Sequence, residues 1–173
     1  MKKVFFKYSF TWSLILLLSV NIHAQEGKSL KAYIILNTEC PISQNAVQIV
    51  NDLKIKYPHI KFVSVFTAWD KKHEIDLFRK KYNLVTEIIH DKKHKLIMQL
   101  AALKTPEVFL LNPNKKIIYE GAISNQYVAL GARKKGKISS YLEDAIKDYL
   151  LTGFVRTSKT IAVGCKIEDL KKL

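Results

Sequence analysis

Leu30 to Leu36 (LKAYIIL) is a compact apolar run rich in β-favouring residues, and it reads as a buried strand. The period then changes. Along Gln44 to Tyr57 the residues Ala46, Val47, Ile49, Val50, Leu53 and Ile55 recur at near-helical spacing, and Tyr57-Pro58-His59 ends that helix. Ile60 to Phe66 alternates as a second strand and runs into the loop Thr67 to Asp70. Ile75, Leu77, Phe78 and Tyr82 mark a second helix from about Lys72, Glu87 to His90 a short extra strand, and His94 to Leu103 a third helix. Glu107 to Leu111 is a strand that returns through the turn Asn112 to Lys115 as Lys116 to Glu120. Ala122 to Lys137 is a polar loop. Ser139 to Leu151 is the last helix, with Ser139 or Ser140 as its cap and Gly153 as its stop. The order predicts an α/β protein with a mixed four- to five-stranded sheet and helices on both faces.

The N-terminus is set apart by composition. Lys2, Lys3 and Lys7 precede the apolar stretch Phe10 to Val20, and Asn21-Ile22-His23-Ala24 ends in a small residue before Gln25. That is the pattern of a cleavable export signal over residues 1–24. The apolar stretch is well short of the ~20 residues a spanning helix needs, so no stable membrane insertion is expected after cleavage. An exported location, periplasmic or secreted, follows. The rest divides into a domain over 25–151 and a C-terminal tail over 152–173. Loss of Lys2, Lys3 and Lys7 takes the formal charge from +14 to +11. The remaining lysines are scattered over helix faces and turns with no interleaved aromatic patch, so a solvated basic surface is expected rather than a nucleic-acid site.

The chain has 2 cysteines, and both lie outside the N-terminal stretch. Cys40, in Thr38-Glu39-Cys40-Pro41-Ile42-Ser43, stands where the first strand hands over to the first helix, with Pro41 suited to the first helical turn. Unpaired N–H groups and the positive end of the helix dipole at such a place favour a thiolate. Cys165 lies in the tail, in Val163-Gly164-Cys165-Lys166. Outside the cytoplasm such a pair can form and keep a disulfide. Neither a C-x-x-C nor a zinc-type Cys/His spacing is present, so no metal or other cofactor is expected. His59, His73, His90 and His94 read as surface or loop residues, and Asn125, Tyr127 and Arg133 as either groove residues or a self-supporting surface loop.

T-E-C-P-I-S-Q, T-P-E-V-F-L-L-N-P, I-Y-E-G-A-I, L-G-A-R and T-x-A-V-G-C-K-I, in this order, resemble the exported redoxins of the alkyl-hydroperoxide-reductase/thiol-specific-antioxidant group. The likeness is to a subset with a C-P-I-S element and a C-terminal G-C-x-I element, and covers nearly all of Leu30 to Ile167. It implies a thioredoxin-like fold, a reactive thiol at Cys40, and a cis bond between Thr105 and Pro106 in a loop beside that thiol. Where dithiol thioredoxins carry a second cysteine, Ser43 stands, either as a hydrogen-bonding neighbour of Cys40 or as a helix cap. Thr38 is two residues before Cys40, whereas peroxidases of the group place a threonine three before. The paired cysteines of copper-delivery relatives are missing.

The expectation is an exported thiol–disulfide oxidoreductase with Cys40 as nucleophile and Thr105, Pro106 and Ser43 around it. Its partner would be a protein or small-molecule disulfide or thiol, with an external thiol reductant as a further possibility. If the tail folds back, Cys165 is either a resolving thiol or an inert, packed cysteine. The alternatives are a thiol peroxidase on the same scaffold and a non-catalytic module that binds a partner or copper through Cys40 and Cys165.

Overall fold

A computed structural model describes residues 29–167; the expected export signal over residues 1–24 lies outside them. Strand β1 (Lys31–Leu36) leads into helix α1 (Pro41–Lys56), β2 (Lys61–Phe66), α2 (Lys72–Tyr82), β3 (Glu87–His90) and α3 (Lys95–Gln99). There follow β4 (Lys104–Thr105), β5 (Glu107–Leu111), β6 (Ile117–Gly121), β7 (Tyr127–Ala129), β8 (Ala132–Arg133), α4 (Tyr141–Thr152) and β9 (Cys165–Lys166). The main sheet has 5 strands in the order β3-β2-β1-β5-β6. β1 pairs in parallel with β2 and antiparallel with β5, so the sheet is mixed, as the element order predicts.

β1 is the central strand, and its alternation sorts side chains between two cores. Ala32, Ile34 and Leu36 face a cluster with Val47, Val50 and Leu53 of α1, Phe78 of α2, and Leu142 and Ile146 of α4. Ile35 faces the other side, with Val63, Val65, Ile97, Phe109 and Ile167. Because both faces are covered, the strand reads as a nearly unbroken apolar run. Full burial of each such side chain is worth about 1.5–3 kcal/mol, which makes β1 the firmest platform available for whatever its C-terminal end carries.

Several boundaries differ from the sequence reading. α1 starts at Pro41, the residue suited to its first turn, three residues before the apolar spacing sets in from Gln44, which makes Cys40 its N-cap residue. The third helix, expected over His94 to Leu103, spans only Lys95–Gln99. It is opened by the Asp91 carboxylate, which accepts from the Lys95 and Ile97 N–H groups at 3.0 and 2.9 Å. Ala101, at φ +53°, then breaks the helical path so that the chain can turn into β4. Within the expected polar loop, Ala122 and Ile123 are buried and β7 and β8 form a small hairpin. α4 begins at Tyr141, and it is Ser140 that caps it, its hydroxyl accepting from the Glu143 N–H at 3.2 Å.

The segment after α4 runs back across the edge of the main sheet. The Thr160 N–H donates to the Glu120 carbonyl at 3.0 Å, and the Thr160 hydroxyl accepts from the Ala122 N–H at 2.9 Å. Lys104 Nζ donates to the Ala162 carbonyl at 2.9 Å, and β9 then pairs antiparallel with β4. Val155, Ala162 and Ile167 of this segment are buried.

Candidate functional site

Two strand registers bring the site together. β5 lies antiparallel to β1 with Glu107 opposite Ile35, so the residues just before β5 pass the end of β1 where Cys40 begins its helix. Thr105 in turn lies opposite Cys165 in the β4–β9 pair. The Thr105–Pro106 peptide bond is cis. Cys40 Sγ is consequently 3.0 Å from the Thr105 carbonyl oxygen and 2.8 Å from Cys165 Sγ, across 125 residues of sequence. Both cysteines are free thiols.

Gly164 permits this approach. A Cβ at that position would fall on the Thr105 carbonyl oxygen and 3.1 Å from the Pro106 nitrogen. Any side chain here would push β9, and Cys165 with it, off the cis-proline loop.

The two sulfurs differ in environment. Cys40 is 1 % exposed, whereas Cys165 is only partly covered. Burial is the strongest influence on Cys40 and disfavours its thiolate. Hydrogen bonds outweigh it: from the Cys165 thiol first, then the Ser43 N–H, the Cys165 N–H and the Ser43 hydroxyl, so that the Cys40 pKa lies below the ordinary thiol value. Burial, the hydrogen bond to Cys40 and the negative charge on Cys40 push the Cys165 thiol up to about 11. Of the pair, Cys40 is thus the thiol that ionises more readily, and Cys165 the one that holds its proton. A neutral Cys40 thiol instead donates to the Thr105 carbonyl.

Ser43 is fully buried at the third position of α1, and its hydroxyl also accepts from the Asn37 N–H at 3.4 Å. Its place is inside the first turn, facing Cys40, and the N-cap position belongs to Cys40 itself. Of the three other residues suggested for a groove, Tyr127 lines an apolar cleft with Pro106, Ile42, Ala46 and Val163. Asn125 bonds Ser139 instead, and the Arg133 guanidinium is held by the Tyr127 hydroxyl at 2.9 and 3.1 Å.

Asp70 escaped the sequence reading, where it was only a loop residue. It is 2 % exposed, and one carboxylate oxygen accepts from the Thr38 N–H at 2.6 Å and the Asn37 amide at 3.1 Å. The other accepts from the N–H and hydroxyl of Thr67, at 2.9 and 2.7 Å. Asp70 thereby pins the three-residue loop that leads from β1 to Cys40. The signal available was an acidic residue just past the C-terminal end of a parallel strand, where loops of α/β sheets meet. His94 also departs from expectation: it is a buried residue and not a surface one. Its Nε2 accepts from the Ala68 N–H at 2.7 Å, its ring meets Trp69 edge-on at 4.5 Å, and burial holds its pKa below the usual histidine value despite Asp91 and Asp70. A neutral ring is what that hydrogen bond requires. Among the described residues no group of three or more His, Cys, Asp or Glu side chains is placed to hold a metal ion.

No known family model matches the chain, and no curated protein sequence does. Solved structures do resemble it. A hypothetical protein from Sinorhizobium meliloti superposes with a TM-score of 0.66 at 17% identity, over 82% of this chain and 80% of that one. A putative thiol:disulfide interchange protein from Chlorobium tepidum gives 0.51 at 18% identity, over 54% of this chain and 67% of its own. A thioredoxin-like protein from Aeropyrum pernix also gives 0.51, at 12% identity, over 56% and 71%. With its mixed five-stranded sheet, its cysteine at the head of α1 and its cis-proline loop, the chain has a thioredoxin-like fold.

Proposed function

We propose that this protein is an exported thiol–disulfide oxidoreductase whose redox pair is Cys40 and Cys165. The observation that carries the reading is the 2.8 Å contact between the two sulfurs at the N-terminus of a 16-residue helix, beside the Thr105–Pro106 loop. In the reducing direction the Cys40 thiolate attacks one sulfur of a substrate disulfide. A bond forms between Cys40 and that sulfur, the substrate S–S bond breaks, and the second substrate sulfur leaves as a thiolate that takes the Cys165 proton. Cys165 then attacks Cys40 Sγ. The Cys40–Cys165 disulfide forms, the mixed disulfide breaks, and the first substrate sulfur departs. Two electrons pass from the protein dithiol to the substrate, and the reverse sequence oxidises a substrate dithiol.

The coupling between the sulfurs times the second step. While Cys40 is a thiolate, its charge and its hydrogen bond keep the Cys165 proton in place. Once Cys40 is in a mixed disulfide, both effects vanish and Cys165 ionises more readily, with the departing thiolate as the proton acceptor. Ser43 stabilises the Cys40 thiolate both before attack and when it leaves, and Asp70 fixes the loop that aims it. The depth of Cys40 has a consequence: a substrate reaches its sulfur by displacing the Val163–Cys165 edge of the tail, whose β-pairing amounts to one two-residue ladder.

The test is a trapping experiment with a disulfide-containing peptide. The Cys165→Ser variant should accumulate a mixed disulfide mapping to Cys40, while the parent releases reduced peptide and becomes internally oxidised. A peptide that stays oxidised with both proteins, while hydroperoxide is consumed, would transfer the site to the peroxidase reading. Stoichiometric Cu(I) retention without thiol exchange would transfer it to a binding module.

A further inference from the structure

The hairpin of β7 and β8 has a composition that the redox site does not explain. Val128 and Leu130 are 64% and 67% exposed toward its tip, and neither lines the Pro106 cleft, to which Tyr127 at its base contributes. Gly131, at φ +74°, makes the turn that lifts these two side chains clear of the body. The chain then continues through Lys134, Lys135 and Lys137, all exposed, and the Lys134 N–H donates to the Gln126 carbonyl at 2.8 Å, which keeps the lysines beside the hairpin. Residues 121–142 contain no Asp or Glu. None of the three lysines pairs with a carboxylate among the described residues, whereas Lys56, Lys147 and Lys159 do.

We infer that this hairpin is a reversible membrane-docking tip, with Val128 and Leu130 entering the headgroup–acyl boundary of an anionic phospholipid bilayer and Lys134, Lys135 and Lys137 lying against its phosphates. The chemistry divides as peripheral binding requires: an apolar projection of limited depth and a cationic flank without internal counter-ions. A convex tip flanked by unpaired cations suits a yielding, negatively charged surface, whereas an acidic protein partner would need no exposed Val–Leu pair between the charges. The binding itself is independent of any redox activity.

The test places an indole at the tip (Val128→Trp) in the full chain and reads its emission by difference against the parent, which cancels Trp12 and Trp69. Vesicles of mixed phosphatidylcholine and phosphatidylglycerol should shift the emission to the blue, and lipids brominated on the acyl chain should quench it. Vesicles of phosphatidylcholine alone should leave it nearly unchanged. Each lysine near the surface contributes roughly a fivefold factor in binding, so Lys134→Glu, Lys135→Glu and Lys137→Glu together should weaken the partition by more than about 100-fold. The apolar N-terminal stretch is common to all these proteins and drops out of the comparison. Unchanged thermal melting of each variant keeps the reading apart from unfolding. An indole indifferent to anionic vesicles would overturn the inference, and one that responds only to an acidic polypeptide would assign the surface to a protein partner instead.

Discussion

Replacing Cys165 by alanine should raise the pKa of Cys40, and by an amount the site allows one to work out. Among the groups that favour the Cys40 thiolate, the Cys165 thiol is the strongest. A hydrogen bond to an ionised group is worth about 1.5–3 kcal/mol net, and a thiol is a weak donor, so the lower end applies. At 1.36 kcal/mol per factor of ten in an equilibrium, the thiolate fraction at any pH below both midpoints falls about tenfold. Serine keeps a donor at the same place, so the thiolate fraction of Cys165→Ser should stay within about threefold of the parent's. The assay is the rate of iodoacetamide alkylation of Cys40 against pH, resolved by peptide mass. The midpoint reports the pKa, and the plateau rate reports access, which improves when the tail residue is trimmed. An alanine midpoint equal to the parent's, or a serine midpoint displaced as far as alanine's, would refute the hydrogen-bond argument.

Four further outcomes follow from the same site. Cys40→Ala should bring Cys165 down from about 11 toward its ordinary value of 9.0, because only burial remains to raise it; the same alkylation series reads this. For the reduced parent relative to Cys165→Ala, the depressed Cys40 pKa adds stability that is complete above 9.0 and fades as pH falls through its folded value. The raised Cys165 pKa adds stability that is complete below 9.0 and lost as pH climbs through about 11, so a urea-midpoint difference should peak near 9. Asp70→Ala strands the Thr38 and Thr67 N–H groups and should cost about 2–6 kcal/mol in urea unfolding, at about 1–3 kcal/mol per buried unpaired donor. Gly164→Ala should slow Cys40–Cys165 disulfide formation at least tenfold while leaving Cys40 reactive, read by quenched-oxidation mass spectrometry.

How legible was this molecule in its sequence? The sheet was, because β1, β2 and β5 are buried on both faces and their apolar runs are bounded by Pro, Asn and Gly turns. Cys40 was visible from its place between strand and helix, which is a local property. Cys165 was visible as a cysteine, but its 2.8 Å approach depends on the β4–β9 register, which four residues define and no periodicity announces. The sequence overextends helix α3 because Leu103 continues the apolar spacing after the backbone has turned at Ala101. Asp70 and His94 were missed for one reason: their partners are backbone groups of other loops, Thr38 and Ala68, and backbone partners leave no trace in side-chain pattern.

The most direct measurement for the account is intact mass of the alkylated protein after equilibration across a series of glutathione redox buffers. A Cys40–Cys165 redox pair gives a single reversible transition in which two alkylation sites vanish together, with peptide mapping joining Cys40 to Cys165. Two thiols that remain open to alkylation in the most oxidising buffer, or a glutathione adduct on Cys40 that Cys165 never resolves, would contradict it.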